Sequence, residues 1–367
     1  LDLLICYVNL IFMSLTYCPV KCSSSKPLEL DSFILIEKRN VDFVLDFEIS
    51  QGVIYALIRR GNKRFVKCYD LEKTWLHTRE ESKDVTGLKK DCFGNIHVVS
   101  DYNVAQIFAT PEEILTIETY SIAAFESQIE PCKVSVDNRI VVAKHSQHNK
   151  HVMLDLYHDK SKTQLANIWD RDGARTAASY YNDIIRLYYL NVPDGQNIIE
   201  IGVWDGDLVK LAVPVAIWDE KGSISSVSHS IQIVHWYLHI SAKPLYCPVF
   251  GWGDNLHLFD FFNGQIIQYD LEGSPLNTTD ISFQEDKNWL ENVVFDEVNQ
   301  VFYTTYQIKS TYVLLEIEME TGLLREVQSI CKACYPENIQ VYGGEMFYLY
   351  DFKIRRVFLN NMKNQTE

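Results

Sequence analysis

A hairpin that recurs at a nearly constant interval is the strongest constraint on how this chain folds. Its clearest copy is GDNLHLFDFFNGQIIQYD, residues 253 to 270: a turn glycine, an alternating apolar run, an Asp seven residues after the glycine, and a second apolar run. GNIHVVSDYNVAQIF (94–108) and GEMFYLYDFKIRRVF (344–358) repeat the layout, so Asp101, Asp260 and Asp351 fall at one repeat position. Apolar residues at a period of two mark β-strands, and a glycine before the run marks the turn that enters it.

The turn residue preceding each copy is Gly52, Gly94, Asn138, Gly253, Asn299 and Gly344. Gly and Asn tolerate the left-handed backbone that a tight turn between strands requires. By subtraction the separations are 42, 44, 115, 46 and 45 residues. Four short strands per unit at a period in the forties indicate a β-propeller, in which each sheet packs both faces against its neighbours. The last unit supplies only three strands, 339–342, 346–350 and 356–359, while 33–38 is a lone strand near the start. The fold class expected is therefore all-β, a six-bladed β-propeller with the N-terminal strand closing the last blade, since ring closure removes an exposed sheet edge.

The wide interval holds one irregular region. RDGARTAASYYNDIIRLYYL (171–190) has helical spacing of its apolar residues, and strand-like runs follow at 198–204 and 208–218. A helix-containing insertion at about 171–220 is expected there, within one propeller domain spanning 33–360, with a seventh blade built from these strands as the alternative. Residues 1–22 read as a signal peptide or lipoprotein leader with Cys18 or Cys22 as the lipidation candidate, 23–32 as a tether and 361–367 as a tail. The expected localisation is secreted, periplasmic or cell-surface, with a lipid anchor as the alternative.

With 47% hydrophobic and 13% aromatic residues the chain can bury a large core. The net charge of -15, from 34 basic against 49 acidic residues, repels phosphate backbones, so nucleic acid is excluded as a partner class. The six cysteines beyond the leader, Cys68, Cys92, Cys132, Cys247, Cys331 and Cys334, are scattered through the chain and are expected mostly as core thiols. Cys331 and Cys334 form the one C-x-x-C pair, with disulfide or unpaired states both open.

The seven-residue offset places Arg59, Asp101, His145, Asp260, Tyr306 and Asp351 at matching positions near the tips of the hairpins joining second and third strands. They are candidate ligand-binding residues on one rim; as the competing reading, the Asp residues cap their own turns. Trp252, between two glycines, is the tryptophan expected to be exposed and is added to the binding set. His145, His148 and His151 lie within seven residues and are the metal-ligand candidates, although a solvated loop explains them as well. There is no H-E-x-x-H, G-x-S-x-G, Walker loop or dinucleotide fingerprint, so no catalytic residue and no cofactor is readable.

GNIHVVSD (94–101), YCPVFGWGDNLHLFDFFNGQIIQYDLEG (246–273) and YPENIQV (335–341) resemble uncharacterised secreted six-bladed propellers of gut bacteria, themselves distantly similar to NHL-repeat proteins. The resemblance covers about 31–360 and implies a six-bladed ring outside the cytoplasm, often lipid-anchored. The function expected is a monomeric binding or scaffold module for a glycan, peptide or protein partner. The alternative is a propeller hydrolase or lactonase-type enzyme with a metal in the central channel.

Overall fold

The computed structural model describes residues 42–71, 74–146, 150–170, 198–204, 210–217, 244–332 and 335–359. They form a six-bladed β-propeller. Blade 1 consists of β1 (Asp42–Ser50), β2 (Val53–Arg60), β3 (Lys63–Asp70) and β4 (Trp75–Glu81). Blade 2 consists of β5 (Val85–Lys90), β6 (Ile96–Ser100), β7 (Asn103–Ala109) and β8 (Ile114–Ser121), followed by the short helix α1 (Ile122–Gln128). Blade 3 consists of β9 (Cys132–Val136), β10 (Arg139–Ser146), β11 (His151–His158) and β12 (Ser161–Trp169). Among the described residues the strands β13 (Ile198–Trp204) and β14 (Lys210–Ile217) pair only with each other, and they stand between blades 3 and 4 in the sequence. Blade 4 consists of β15 (Val249–Trp252), β16 (Asn255–Asp260), β17 (Gln265–Asp270) and β18 (Pro275–Asp280). Blade 5 consists of β19 (Trp289–Asp296), β20 (Val301–Ile308), β21 (Thr311–Ile317) and β22 (Leu324–Lys332). Blade 6 shows β23 (Glu337–Tyr342), β24 (Glu345–Tyr350) and β25 (Lys353–Phe358). Within each blade the strands pair antiparallel in sequence order.

The second strand of a blade explains how one alternating run serves two interfaces. In β2, Ile54, Ala56 and Ile58 pack with Phe347 and Leu349 of blade 6, whereas Tyr55 and Leu57 pack with Val85, Leu88 and Ile96 of blade 2. In β16, Leu256 and Leu258 face blade 3 and Phe259 faces blade 5. In β24, Met346 and Tyr348 face blade 5 while Phe347 and Leu349 face blade 1. Alternate side chains leave opposite faces of a strand, and in a propeller both faces are covered. Five of the six interfaces thereby hold an apolar cluster. Among the described residues the interface of blades 2 and 3 has none.

That interface is built differently. Cys92, in the turn after β5, is disulfide-bonded to Cys132 at the start of β9. This corrects the expectation of core thiols for these two, while Cys68 and Cys247 are free. Phe125 of α1 packs on the edge of the buried His97 ring at 5.0 Å, and Lys89 pairs with Glu130. Ser121 caps the helix by accepting from the Ala124 N–H at 3.2 Å.

The ring closes between blades 6 and 1 through side-chain amides as well as apolar contact. Asn338 Nδ2 and Gln340 Nε2 donate to the Phe47 carbonyl, and the Ile49 N–H donates to Gln340 Oε1 at 3.1 Å. The inner edge of β1, which no described strand covers, is satisfied in this way. The expected closing strand 33–38, the leader and tether, the 171–190 helix, His148 and the tail all lie outside the described residues. The turn residues Gly52, Gly94, Asn138, Gly253 and Gly344 have positive φ as expected, but Asn299 does not. There Gln300 takes the left-handed position (φ 59°), and Asn299 instead donates its amide to Asp296.

Candidate functional site

The inner strands β1, β5, β9, β15, β19 and β23 surround a central channel that contains a cavity of about 720 Å³. Its lining comes from the later residues of these strands and the turns that follow them, including Asp91, Gly94 and Glu297. The wall is amphipathic. Blades 3 to 5 contribute Val134, Val136, Val249, Phe250, Val293 and Phe295. The opposite side, blades 6, 1 and 2 with the segment leading into β9, contributes the polar Glu48, Lys89, Lys90, Asp91, Glu130, Asn338 and Gln340 among the apolar Ile49, Ile129, Ile339, Val341 and Tyr342, while Lys133 and Glu297 add charge on the side of blades 3 to 5.

Glu48 is the most perturbed acid of this wall. Burial pushes its carboxyl up to about 7, against the opposing pull of the Lys90 ammonium and with the help of the Asp46 charge. Gln340 Nε2 donates to it at 3.1 Å. Asp46, one turn of the pleat earlier, is also raised by burial despite accepting from the Leu88 and Phe47 N–H groups and from Asn338 Nδ2. Across the channel burial lowers the Lys133 ammonium, whose Nζ donates to the Glu130 carbonyl at 2.8 Å. Lys90 donates to the Ile49 carbonyl at 3.1 Å and stands 3.8 Å from Glu297. Asp91 behaves oppositely: burial would raise its carboxyl, yet His97, Asn95 and two backbone N–H donors together hold it low. Ionised Asp91 requires a donor, so His97 carries its proton on Nε2.

Among the described residues, none of the ligand- or metal-binding candidates from the sequence lines this cavity. In an up-and-down blade the second-to-third-strand turns lie at the end opposite the first-to-second-strand turns, so Arg59, Asp101, His145, Asp260, Tyr306 and Asp351 belong to the other rim. Arg59 lies over the Phe43 ring at 5.3 Å. Asp101 and Asp351 are exposed, the latter 4.0 Å from Lys353. Tyr306 is buried and donates its hydroxyl to the Phe283 carbonyl at 2.6 Å. His145 is half-buried, and burial with the nearby Lys133 charge lowers its imidazole. His151 bonds Asn167 Oδ1 at 2.6 Å and packs on Trp169. Among the described residues no three His, Cys, Asp or Glu side chains are grouped to hold a metal ion.

Of the three repeated Asp residues only Asp260 caps its turn, accepting from the Asn263 N–H at 3.0 Å and Asn263 Nδ2 at 2.6 Å. In the 100–103 turn the cap is Ser100, whose Oγ accepts from the Asn103 N–H at 3.1 Å. Asp260→Ala should therefore cost about 1–2 kcal/mol, whereas Asp101→Ala and Asp351→Ala should stay within about 0.5 kcal/mol. Urea unfolding of the three variants checks this ordering.

Trp252, expected to be exposed, is instead half-buried against the cluster between blades 4 and 5; it lies at the same end of the ring as the first-to-second-strand turns and donates Nε1 to Gln300 Oε1 at 2.7 Å. Trp289, by contrast, is structural, donating to Thr304 Oγ1 at 2.7 Å and packing on Phe261. The channel residues Glu48 and Lys133 were missed because nothing local marks them. Their role comes from strands contributed by different repeats.

No protein-family model matches the chain, and no curated protein matches it. Solved propellers do align with it. A catalytically inactive virginiamycin B lyase from Staphylococcus aureus with quinupristin is 10% identical, covering 89% of this chain and 97% of that one at a TM-score of 0.36. BamB from Moraxella catarrhalis is 7% identical over 86% and 85% at 0.32, and a putative 6-phosphogluconolactonase from Bacteroides uniformis is 9% identical over 83% and 76% at 0.32. At such scores they transfer no residue and no activity.

Proposed function

We propose that the protein is an extracytoplasmic binding module that takes an amphipathic ligand, a peptide segment with apolar and basic side chains, into its central channel. The observation that carries this reading is the concentration of charged and amide side chains on the side of the channel formed by blades 6, 1 and 2, opposite the mainly apolar side of blades 3 to 5. A peptide strand presents two faces, one for each wall. The basic preference rests on the net charge of -15, since in the wall itself Glu48, Asp91, Glu130 and Glu297 are nearly balanced by Lys89, Lys90 and Lys133. The location outside the cytoplasm is supported by the Cys92–Cys132 disulfide, a bond that persists in oxidising compartments.

Glu48 makes the reading testable by pH. In the unfolded chain it titrates near 4.5 and in the folded protein at about 7. Between these values the folded state holds more protons, so stability falls as pH rises from 4.5 to 7. Discounted for partial exposure, Glu48→Gln should stabilise the protein by about 2 kcal/mol at pH 8 and change little at pH 4. Binding has the opposite sign. A fluorescent peptide of alternating Leu and Lys should bind more tightly at pH 8 than at pH 6, and Glu48→Gln should remove that difference. Ser135→Trp, which narrows the channel, should abolish binding. A peptide that binds Ser135→Trp as well as the parent protein would refute the channel as its site.

A further inference from the structure

A second cleft, of about 360 Å³, opens beside Trp252 between blade 4 and the turn of Met319 and Glu320 in blade 5. Its floor is a lateral row of side chains fixed by strand register: His257 stands opposite Gln268, and Gln268 opposite Asn277, across β16, β17 and β18. Asn255 lies on the same face of β16, paired in register with Trp252. His257 is 4% exposed, and neither ring nitrogen has a hydrogen-bond partner among the described residues. A buried polar ring without partners costs about 1–3 kcal/mol relative to a satisfied one, and an apolar residue would fill the space without that loss. The indole of Trp252 stacks on the imidazole at 5.0 Å and 29° and holds it in place. Burial pulls the His257 imidazole down to about 4, so at neutral pH it offers one donor and one acceptor and no charge.

The chemistry of this lining is narrow. Each of the amides of Asn255, Gln268 and Asn277 offers a carbonyl acceptor and an NH₂ donor. Trp252 and Met319 supply apolar surface, and among the described residues Glu320 is the one charged group of the lining, with no Lys or Arg contributing. An anion would meet no cation here, and a cation would meet a single carboxylate. A ligand that both donates and accepts, carries no charge and has an apolar face matches every wall. The volume lies at the small end of ligand clefts, which run from about 300 to 1,000 Å³.

We propose that this cleft is a binding site for an uncharged saccharide unit, a hexose or N-acetylhexosamine, with His257, Gln268 and Asn277 bonding its hydroxyls and Trp252 and Met319 against its carbon–hydrogen face. It is independent of the channel reading. A free sugar and the end of a glycan chain offer the same chemistry, and methyl glycosides compared with the matching disaccharides and trisaccharides distinguish them, since affinity grows with length only for a glycan.

The full chain would be titrated calorimetrically, and by tryptophan fluorescence, with methyl glycosides of glucose, galactose, mannose and N-acetylglucosamine and with their oligosaccharides. At least one should bind and perturb the fluorescence. His257→Phe should then weaken it by about tenfold or more, because a phenyl ring can still stack on Trp252 but offers no donor or acceptor. Gln268→Leu provides a second reading should His257→Phe not fold, with the same expected loss. Ser135→Trp should leave the affinity unchanged. The proposal is overturned if no saccharide binds, if both cleft variants bind as tightly as the parent, or if only the channel variant loses affinity.

Discussion

Replacing Cys92 and Cys132 by serine should cost about 4 kcal/mol of stability, the largest effect expected of any change described here. The two residues are 40 apart in sequence, and a cross-link closing a loop of that length removes considerable entropy from the unfolded chain. Position adds to the effect. The bond joins blades 2 and 3, whose interface has no apolar cluster of its own among the described residues, so its loss leaves α1, Phe125 and the Lys89–Glu130 pair to hold one seam of the ring. Guanidinium unfolding of the double serine variant measures this directly, without reductant acting on the other cysteines. A loss under about 1 kcal/mol would show that the seam is held by other means.

Asp296→Ala should cost about 3–4 kcal/mol. Asp296 is wholly buried at the end of β19, where its two carboxylate oxygens accept from five donors. Three lie in its own turn, the N–H groups of Val298 and Asn299 and the Asn299 amide, and two in the next blade, the N–H groups of Gly343 and Gly344 at 2.8 and 2.7 Å. Alanine would leave the donors of two blades unpaired at once. It would also loosen the turn in which Gly344 has a φ of 80° and lies too close to Asn299 for a larger residue without adjustment. Asp296→Asn keeps the shape but turns one acceptor into a donor, and should lose about half as much. If alanine at 296 behaves like alanine at 260, the inter-blade bonds contribute nothing beyond an ordinary cap.

Asp260 and Asp296 show where a linear reading stops. The repeat position seven residues beyond the turn glycine is visible in the sequence, but its Asp residues proved unlike one another: Asp260 caps, Asp101 is replaced in that role by Ser100, and Asp351 is exposed. The more consequential Asp residues, Asp46, Asp91 and Asp296, sit on or just after inner strands and bond groups that are remote in sequence or folded back in the same turn. A carboxylate's partners are set by what the ring brings beside it. Periodicity cannot report them.

What the sequence determined by itself is the architecture. Glycine and asparagine turns, 42 to 46 residues apart except across one 115-residue interval and each followed by an apolar alternating run, are a local property of backbone and side-chain pattern, and they point to an all-β chain of repeated four-stranded units. Tertiary structure alone decided which surfaces those units share. It divides alternate residues of β2, β16 and β24 between two neighbours, joins Cys92 to Cys132, and assembles a two-sided channel from strands contributed by every blade. The reason is physical: a strand's period comes from its own backbone, whereas burial, partner and proton affinity come from contacts across the ring.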